Sequence, residues 1–145
     1  MSTCVFCQIA TGSVPAGIVF EDADTLAFLD HRPLFPGHCL LIPRQHIETL
    51  EEVMPRMLAR LSGNARLLAL AVEKGLNAQG AFIALNNRIS QSVPHLHFHV
   101  VPRTKGDGLK GFFWPRQKYR GPEHMGEVRD ALARAIKDVK TAGLA

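Results

Sequence analysis

Apolar positions along the 145-residue chain fall in two periods, and the changes between them mark its elements. Ile18-Val19-Phe20 and Thr25 to Asp30 are short apolar runs separated by the acidic turn Glu21-Asp22-Ala23-Asp24, and they predict two strands. Asp30 to Gly37 breaks the pattern with Pro33 and Pro36, after which His38 to Ile42 predicts a third strand closed by Pro43. Between Met54 and Leu76 the spacing becomes helical. Leu58, Leu61, Ala65, Leu68, Ala69, Val72 and Leu76 share a stripe, Arg60, Arg66 and Glu73 lie on other faces, and Gly75, Asn77 and Gly80 supply stop signals. Ala81 to Leu85 and His95 to Val101 predict two more strands around an Asn/Ser/Gln loop. Met125, Val128, Leu132, Ile136 and Val139 predict a final amphipathic helix, and Cys4 to Ile9 can close one helical turn. With no repeat and no linker, residues 1–145 predict one α+β domain. Its antiparallel sheet of about five strands carries a long central helix and a C-terminal helix on one side.

Composition narrows the picture. Apolar residues make up 46% and charged residues 21%, an ordinary globular balance. No apolar run approaches the roughly 20 residues of a membrane span, and the N-terminus lacks a basic start followed by an apolar stretch. The predicted compartment is therefore the cytoplasm, with no membrane partner. Three cysteines do not make a disulfide framework. A formal charge of +4 admits anionic partners, but the basic residues are scattered and not interleaved with aromatics. That argues against nucleic acid and leaves a phosphorylated small molecule.

The run His95-Leu96-His97-Phe98-His99 carries the chemistry. On a strand, alternate side chains share a face, so the three histidines would line one face while Leu96, Phe98 and Val100 point into a core. Each imidazole brings polar nitrogens that need partners, which makes three of them costly packing material. Neutral imidazole is nucleophilic near pH 7, and its pKa near 6.5 lets a neighbour donate protons at the same pH. Attack on phosphorus would give a covalent phospho-histidine and split a hard displacement into two easier ones. A three-histidine metal site and chance enrichment are the rival readings.

The stretch Val93-Pro94-His95-Leu96-His97-Phe98-His99-Val100-Val101-Pro102-Arg103 resembles the signature of the histidine triad (HIT) family. Cys4 to Ile9 resembles the family's opening, and Leu26 to Asp30 and Pro36 to His46 resemble its central strands, so the likeness covers roughly residues 4–103. The resemblance implies that His97 is the nucleophile, with backbone carbonyls holding its other nitrogen. It places His99 against a nonbridging phosphate oxygen, Asp30 on both ribose hydroxyls, and Phe28 and Leu29 beside the base. Asp30 also reads as a turn residue ahead of Pro33. Gln91 and Ser92 fall where the family places residues near the phosphate and leaving group, and a serine hydroxyl can pass a proton to a departing amine; a capped loop is the plainer reading. The stretch Asn86-Asn87-Arg88-Ile89-Ser90-Gln91 is shorter than the family's glycine-rich loop, which leaves open whether Asn86 or Asn87 serves.

Cys4-x-x-Cys7 has zinc-ligand spacing, and reduced thiols without metal are the alternative. The resemblance supplies His46 and His95 as the remaining ligands of a closed, structural zinc site. Beyond the signature, Trp114 resembles an aromatic that some relatives place beside the phosphate, and Arg103, Lys105, Lys110 and Arg116 could touch a polyphosphate or simply be solvated. Family members of this size are typically homodimers. Together these readings imply an enzyme that cleaves at the α-phosphate of a nucleoside phosphoramidate or dinucleoside polyphosphate, a purine nucleotide or dinucleotide, with zinc and no organic cofactor. A non-enzymatic nucleotide- or zinc-binding regulator is the alternative, and it would not need the nucleophile. The substrate itself is not legible.

Overall fold

The apolar runs read as strands each pair as a strand, in whole or in part, in the computed structural model, which describes residues 3–110 and 116–143. In chain order the elements are α1 (Val5–Ala10), β1 (Ile18–Glu21), β2 (Thr25–Leu29), β3 (Cys39–Pro43), a 3-10 turn at Leu50–Glu52, α2 (Pro55–Leu76), β4 (Gly80–Ala84), β5 (Phe98–Arg103) and α3 (Pro122–Thr141). The five strands form one sheet in the order β1-β2-β3-β5-β4, and every neighbouring pair is antiparallel. The chain divides into two compact units, Met1–Asp107 with the sheet and Gly108–Ala145 with α3. In the second unit Pro122 opens the helix, where a missing N–H costs nothing.

The long central helix and the C-terminal helix were expected on one side of the sheet; α2 covers one face, and α1, expected only as a single turn, covers the opposite one. Ala27, Cys39, Leu41 and Val100 pack with Leu61, Ala65 and Leu68 of α2. The alternate residues Leu26, Phe28, Leu40 and Ile42 pack with Phe6 and Ile9 of α1. The physical reason is visible in β2 and β3: Thr25 to Phe28 and Cys39 to Pro43 are all buried, and a strand with no polar face needs cover on both sides. The long helix ends at Asn77, whose φ of 54° is the left-handed cap that asparagine tolerates. Gly37 turns the chain into β3 at φ 95°, and a Cβ there would run into the Leu76 side chain.

The other departure lies at the histidines. The strand predicted for His95–Val101 begins only at Phe98. Pro94 supplies no N–H, the His95 N–H turns back to the Val93 carbonyl, and the Leu96 N–H leaves the sheet for Ile47 O at 2.7 Å. The alternation of side chains survives nevertheless. Leu96, Phe98 and Val100 join the α2 core, and the three histidines face the α1 side.

Candidate active site

A cavity of about 390 Å³ opens on the α1 side of the sheet, lined by Phe6, Ile9, Phe28, Leu29, Asp30, Ser92, His97 and His99 among others. A larger one, about 540 Å³, lies between β1 and α2, but hydrocarbon from Val19, Leu67, Leu76 and their neighbours lines it, with only the Cys39 thiol for chemistry. Burial pushes that thiol up to about 11, so it stays protonated.

At the centre of the smaller cavity His97 is 4% exposed, and its Nδ1 lies 2.7 Å from the His95 carbonyl oxygen. A carbonyl can only accept, so Nδ1 carries the proton and the neutral ring's lone pair sits on Nε2. The rings of His97 and His99 are 5.0 Å apart. The proton on His99 is fixed by a second relay. The Leu34 N–H donates to His38 Nδ1 at 3.1 Å, which leaves the His38 proton on Nε2. That N–H donates to His99 Nδ1 at 2.9 Å, so the His99 proton lies on Nε2. Burial holds the His38 imidazole below its ordinary pKa against a raising influence from Asp30. His99 is pushed down to about 4, by burial first and then by His97 and His38. Both are neutral near pH 7.

His38 is the functional-site residue that the sequence reading left in a strand. It has a signal: it stands two residues before Leu40, and Leu40 registers directly opposite His99. The two oxygens of Asp30 have different surroundings. Oδ1 accepts the Arg32 N–H at 2.8 Å in a turn, while Oδ2 lies 3.7 Å from His38 Nε2 and the residue lines the cavity.

Of the predicted substrate contacts, Phe28, Leu29, Asp30, Ser92 and His99 border the cavity with His97. Gln91 and Asn86 are not in its lining. The Gln91 carboxamide is occupied within the adjoining loop, accepting from the Arg88 N–H at 3.0 Å and donating to the Glu48 carbonyl at 2.6 Å. Asn86 donates to the Ser90 carbonyl, and Asn87 donates to Glu51 and accepts from the Leu50 N–H. Arg88 and Ser90 hold left-handed φ values of 71° and 61°, a region that favours glycine. Arg103 is gripped by both Asp107 oxygens at 2.6 and 3.0 Å. Trp114 lies outside the described residues.

Behind the cavity Cys4, Cys7, His46 and His95 each direct one ligand atom to a common point, all within 4.8 Å of one another. His95 Nδ1 is 3.4 Å from the Cys4 sulfur and 3.5 Å from the Cys7 sulfur, and His46 Nδ1 is 3.3 Å from the Cys7 sulfur. Zinc–sulfur and zinc–nitrogen bonds of normal length span a tetrahedral edge of about 3.6 Å, so the donor set fits zinc. The outer nitrogens fit as well. His95 Nε2 donates to the Pro43 carbonyl at 2.8 Å, and His46 Nε2 lies 3.5 Å from Glu48 Oε1, which leaves both Nδ1 lone pairs pointing inward. Burial holds the His95 imidazole below its ordinary pKa, in the neutral form a metal requires.

Comparison with known proteins agrees with this architecture. The HIT domain family model matches residues 11–106. An uncharacterized HIT-like protein of Methanocaldococcus jannaschii is 40% identical over 107 residues, covering 72% of this chain and 82% of its own. The adenosine 5'-monophosphoramidase of Schizosaccharomyces pombe is 31% identical over 137 residues, 93% of this chain and 99% of that one. A solved Zn-bound histidine triad family protein from Mycobacterium smegmatis superposes with a TM-score of 0.72 at 37% identity, covering 94% of this chain and 97% of that one. On the matched span, the alternating histidines and the shared fold, the chain belongs to the HIT family.

Proposed function

We propose that this chain is a nucleotide hydrolase or nucleotidyltransferase that cleaves at the α-phosphate of a nucleoside phosphoramidate, or of a dinucleoside polyphosphate, through a nucleotidyl-His97 intermediate. The observation that carries this reading is the fixed tautomer of His97: Nδ1–H is tied to a main-chain oxygen, which leaves Nε2 as the nucleophile. Nε2 attacks phosphorus, the bond to the leaving group breaks, and the Ser92 hydroxyl passes a proton to the departing amine or oxygen. His99 Nε2–H donates to a nonbridging oxygen, where charge grows as the transition state forms. Water then attacks the phosphorus and gives up a proton that restores the Ser92 hydroxyl, while the P–Nε2 bond breaks, releasing the nucleoside monophosphate and returning its electron pair to His97. Asp30 Oδ2, with Oδ1 already engaged in the turn, accepts from ribose, and Phe28 and Leu29 flank the base. The phosphoramidase relative favours a P–N bond as the one broken.

In the same reading Cys4, Cys7, His46 and His95 hold a structural zinc ion, which would staple α1 to the end of β3. The enzyme acts in the cytoplasm as a homodimer, whose formation would cover apolar surface such as Leu67 and Leu70, 44% and 49% exposed on α2. Purified protein should release AMP from adenosine phosphoramidate faster than from diadenosine polyphosphates. His97→Ala should lower turnover by about a thousandfold or more with nucleotide affinity changed only a few-fold. Near-normal turnover by the alanine variant would overturn the mechanism.

A further inference from the structure

We propose that Phe6 is a positioning residue that couples the Cys4/Cys7/His46/His95 cluster to the cavity, so that zinc and nucleotide bind cooperatively; the inference rests on the reading that the cavity takes a nucleotide. The starting point is how little α1 has of its own. It is six residues long, Cys4 gives it no side-chain N-cap bond, and its first turn carries no acidic residue. Helices this short do not persist on backbone hydrogen bonds alone. Arg44 ties down its C-terminal end, Nη1–H donating to the Ala10 carbonyl at 3.1 Å, and beyond that α1 is held by two flanks that do different things.

Cys4 and Cys7, three residues apart, belong to the cluster. Phe6 and Ile9, also three apart, are buried at 7% and 8% exposure, and both line the cavity with Val5. One short helix thus supplies half the ligand set and one wall of the pocket. Phe6 is the point where these flanks meet. Its ring lies edge-on to three others: His95 at 5.9 Å between centroids, His97 at 5.2 Å and Phe28 at 5.3 Å. It therefore touches a cluster ligand, the nucleophile's ring and the apolar wall at once.

Sulfur–imidazole contacts without a metal are weak hydrogen bonds, whereas four coordinate bonds confine the helix to one placement. A nucleotide entering the zinc-loaded chain finds its wall in place. A nucleotide entering the metal-free chain must order α1 as part of binding and so binds less tightly. Linkage requires the converse: bound nucleotide raises zinc affinity by the same factor. The His95 carbonyl that holds His97 offers another route between the sites, but that route does not pass through Phe6, so the two are separable by mutation.

The test uses the full chain and AMP. Zinc affinity is measured by competition with a chromophoric chelator, with and without saturating AMP, and the rate at which the chelator strips zinc from the loaded protein is followed under both conditions. Coupling of about tenfold is the expected size, seen in the equilibrium and as slower stripping. Phe6→Ala should reduce it to less than about twofold in the stripping rate, which needs only the folded, zinc-loaded protein, and Phe6→Leu should restore part of it. AMP binding with unchanged zinc affinity, or full coupling in Phe6→Ala, overturns this inference alone. Failure of zinc-loaded wild type to bind AMP overturns the proposed function and this inference with it.

Discussion

The face of the sheet under α2 and the face under α1 are built by the same strands, yet they ask opposite things of their surroundings. Toward α2, Ala27, Leu41 and Val100 meet Leu61, Ala65 and Leu68, and hydrocarbon meets hydrocarbon. Toward α1, Leu26, Phe28, Leu40 and Ile42 make an equally dry floor, but Asp30, His97 and His99 line the cavity beside it and His38 backs His99. Polar nitrogens there are tolerable because, among the described residues, no fully buried side-chain nitrogen or oxygen lacks a partner. A period of two lets one chain keep its stability on one face and its reactive groups on the other.

If that division holds, damage to one face should not read out on the other. The largest effect falls on the α2 side. Leu61→Ala removes a side chain with no exposure and should cost about 2–5 kcal/mol of stability in urea unfolding. Turnover per folded molecule should stay near wild type, and a parallel fall in both would show that the faces are not independent. On the α1 side the signs reverse. Asp30→Asn removes the charged acceptor and should weaken ribonucleotides by about 1.5–3 kcal/mol, and 2'-deoxy analogues by less, as read by calorimetry. Equal losses for both sugars would return Asp30 to its turn with Arg32.

The smallest effect sharpens the comparison through pH. His99, faced by His97, His38 and Asp30, titrates near 4 in the fold and near 6.5 when unfolded. Between those values the unfolded chain takes up a proton that the folded chain refuses. Stability therefore falls as pH drops from 6.5 toward 4, and the contribution is constant above that window. His99→Asn should flatten this slope by up to about one proton in urea titrations across the window. An unchanged slope would mean that the site's other histidines carry the acid sensitivity.

Much of this was legible in the residues. The apolar runs of β2 and β3 announced strands, and the stripe through Leu61, Ala65, Leu68 and Val72 announced the face of α2 that is buried. The same runs also held the information that both sheet faces are covered, since Thr25 to Phe28 offers no polar side to water. What escaped depended on register or on main-chain geometry. His38 and His99 are 61 residues apart and meet only because β3 and β5 are paired. The break before Phe98 needed Ile47 O as a competing acceptor. The Gln91 carboxamide was expected at the phosphate, but a loop this short, with Arg88 and Ser90 in left-handed conformations, uses it as an internal brace.

The carbonyl of His95 has a consequence for how this chain can vary. Side chains are open to replacement one codon at a time, but a peptide oxygen is encoded by every residue alike. The atom that fixes the proton on His97 is of the second kind. A population of variants at position 95 would therefore lose the imidazole, and with it the contacts to Cys4 and Cys7, while each member still carried the acceptor. Drift at this position can dissolve the cluster long before it erases the means of orienting the neighbouring ring, and a lineage that gave up the cysteines would still inherit that acceptor unchanged.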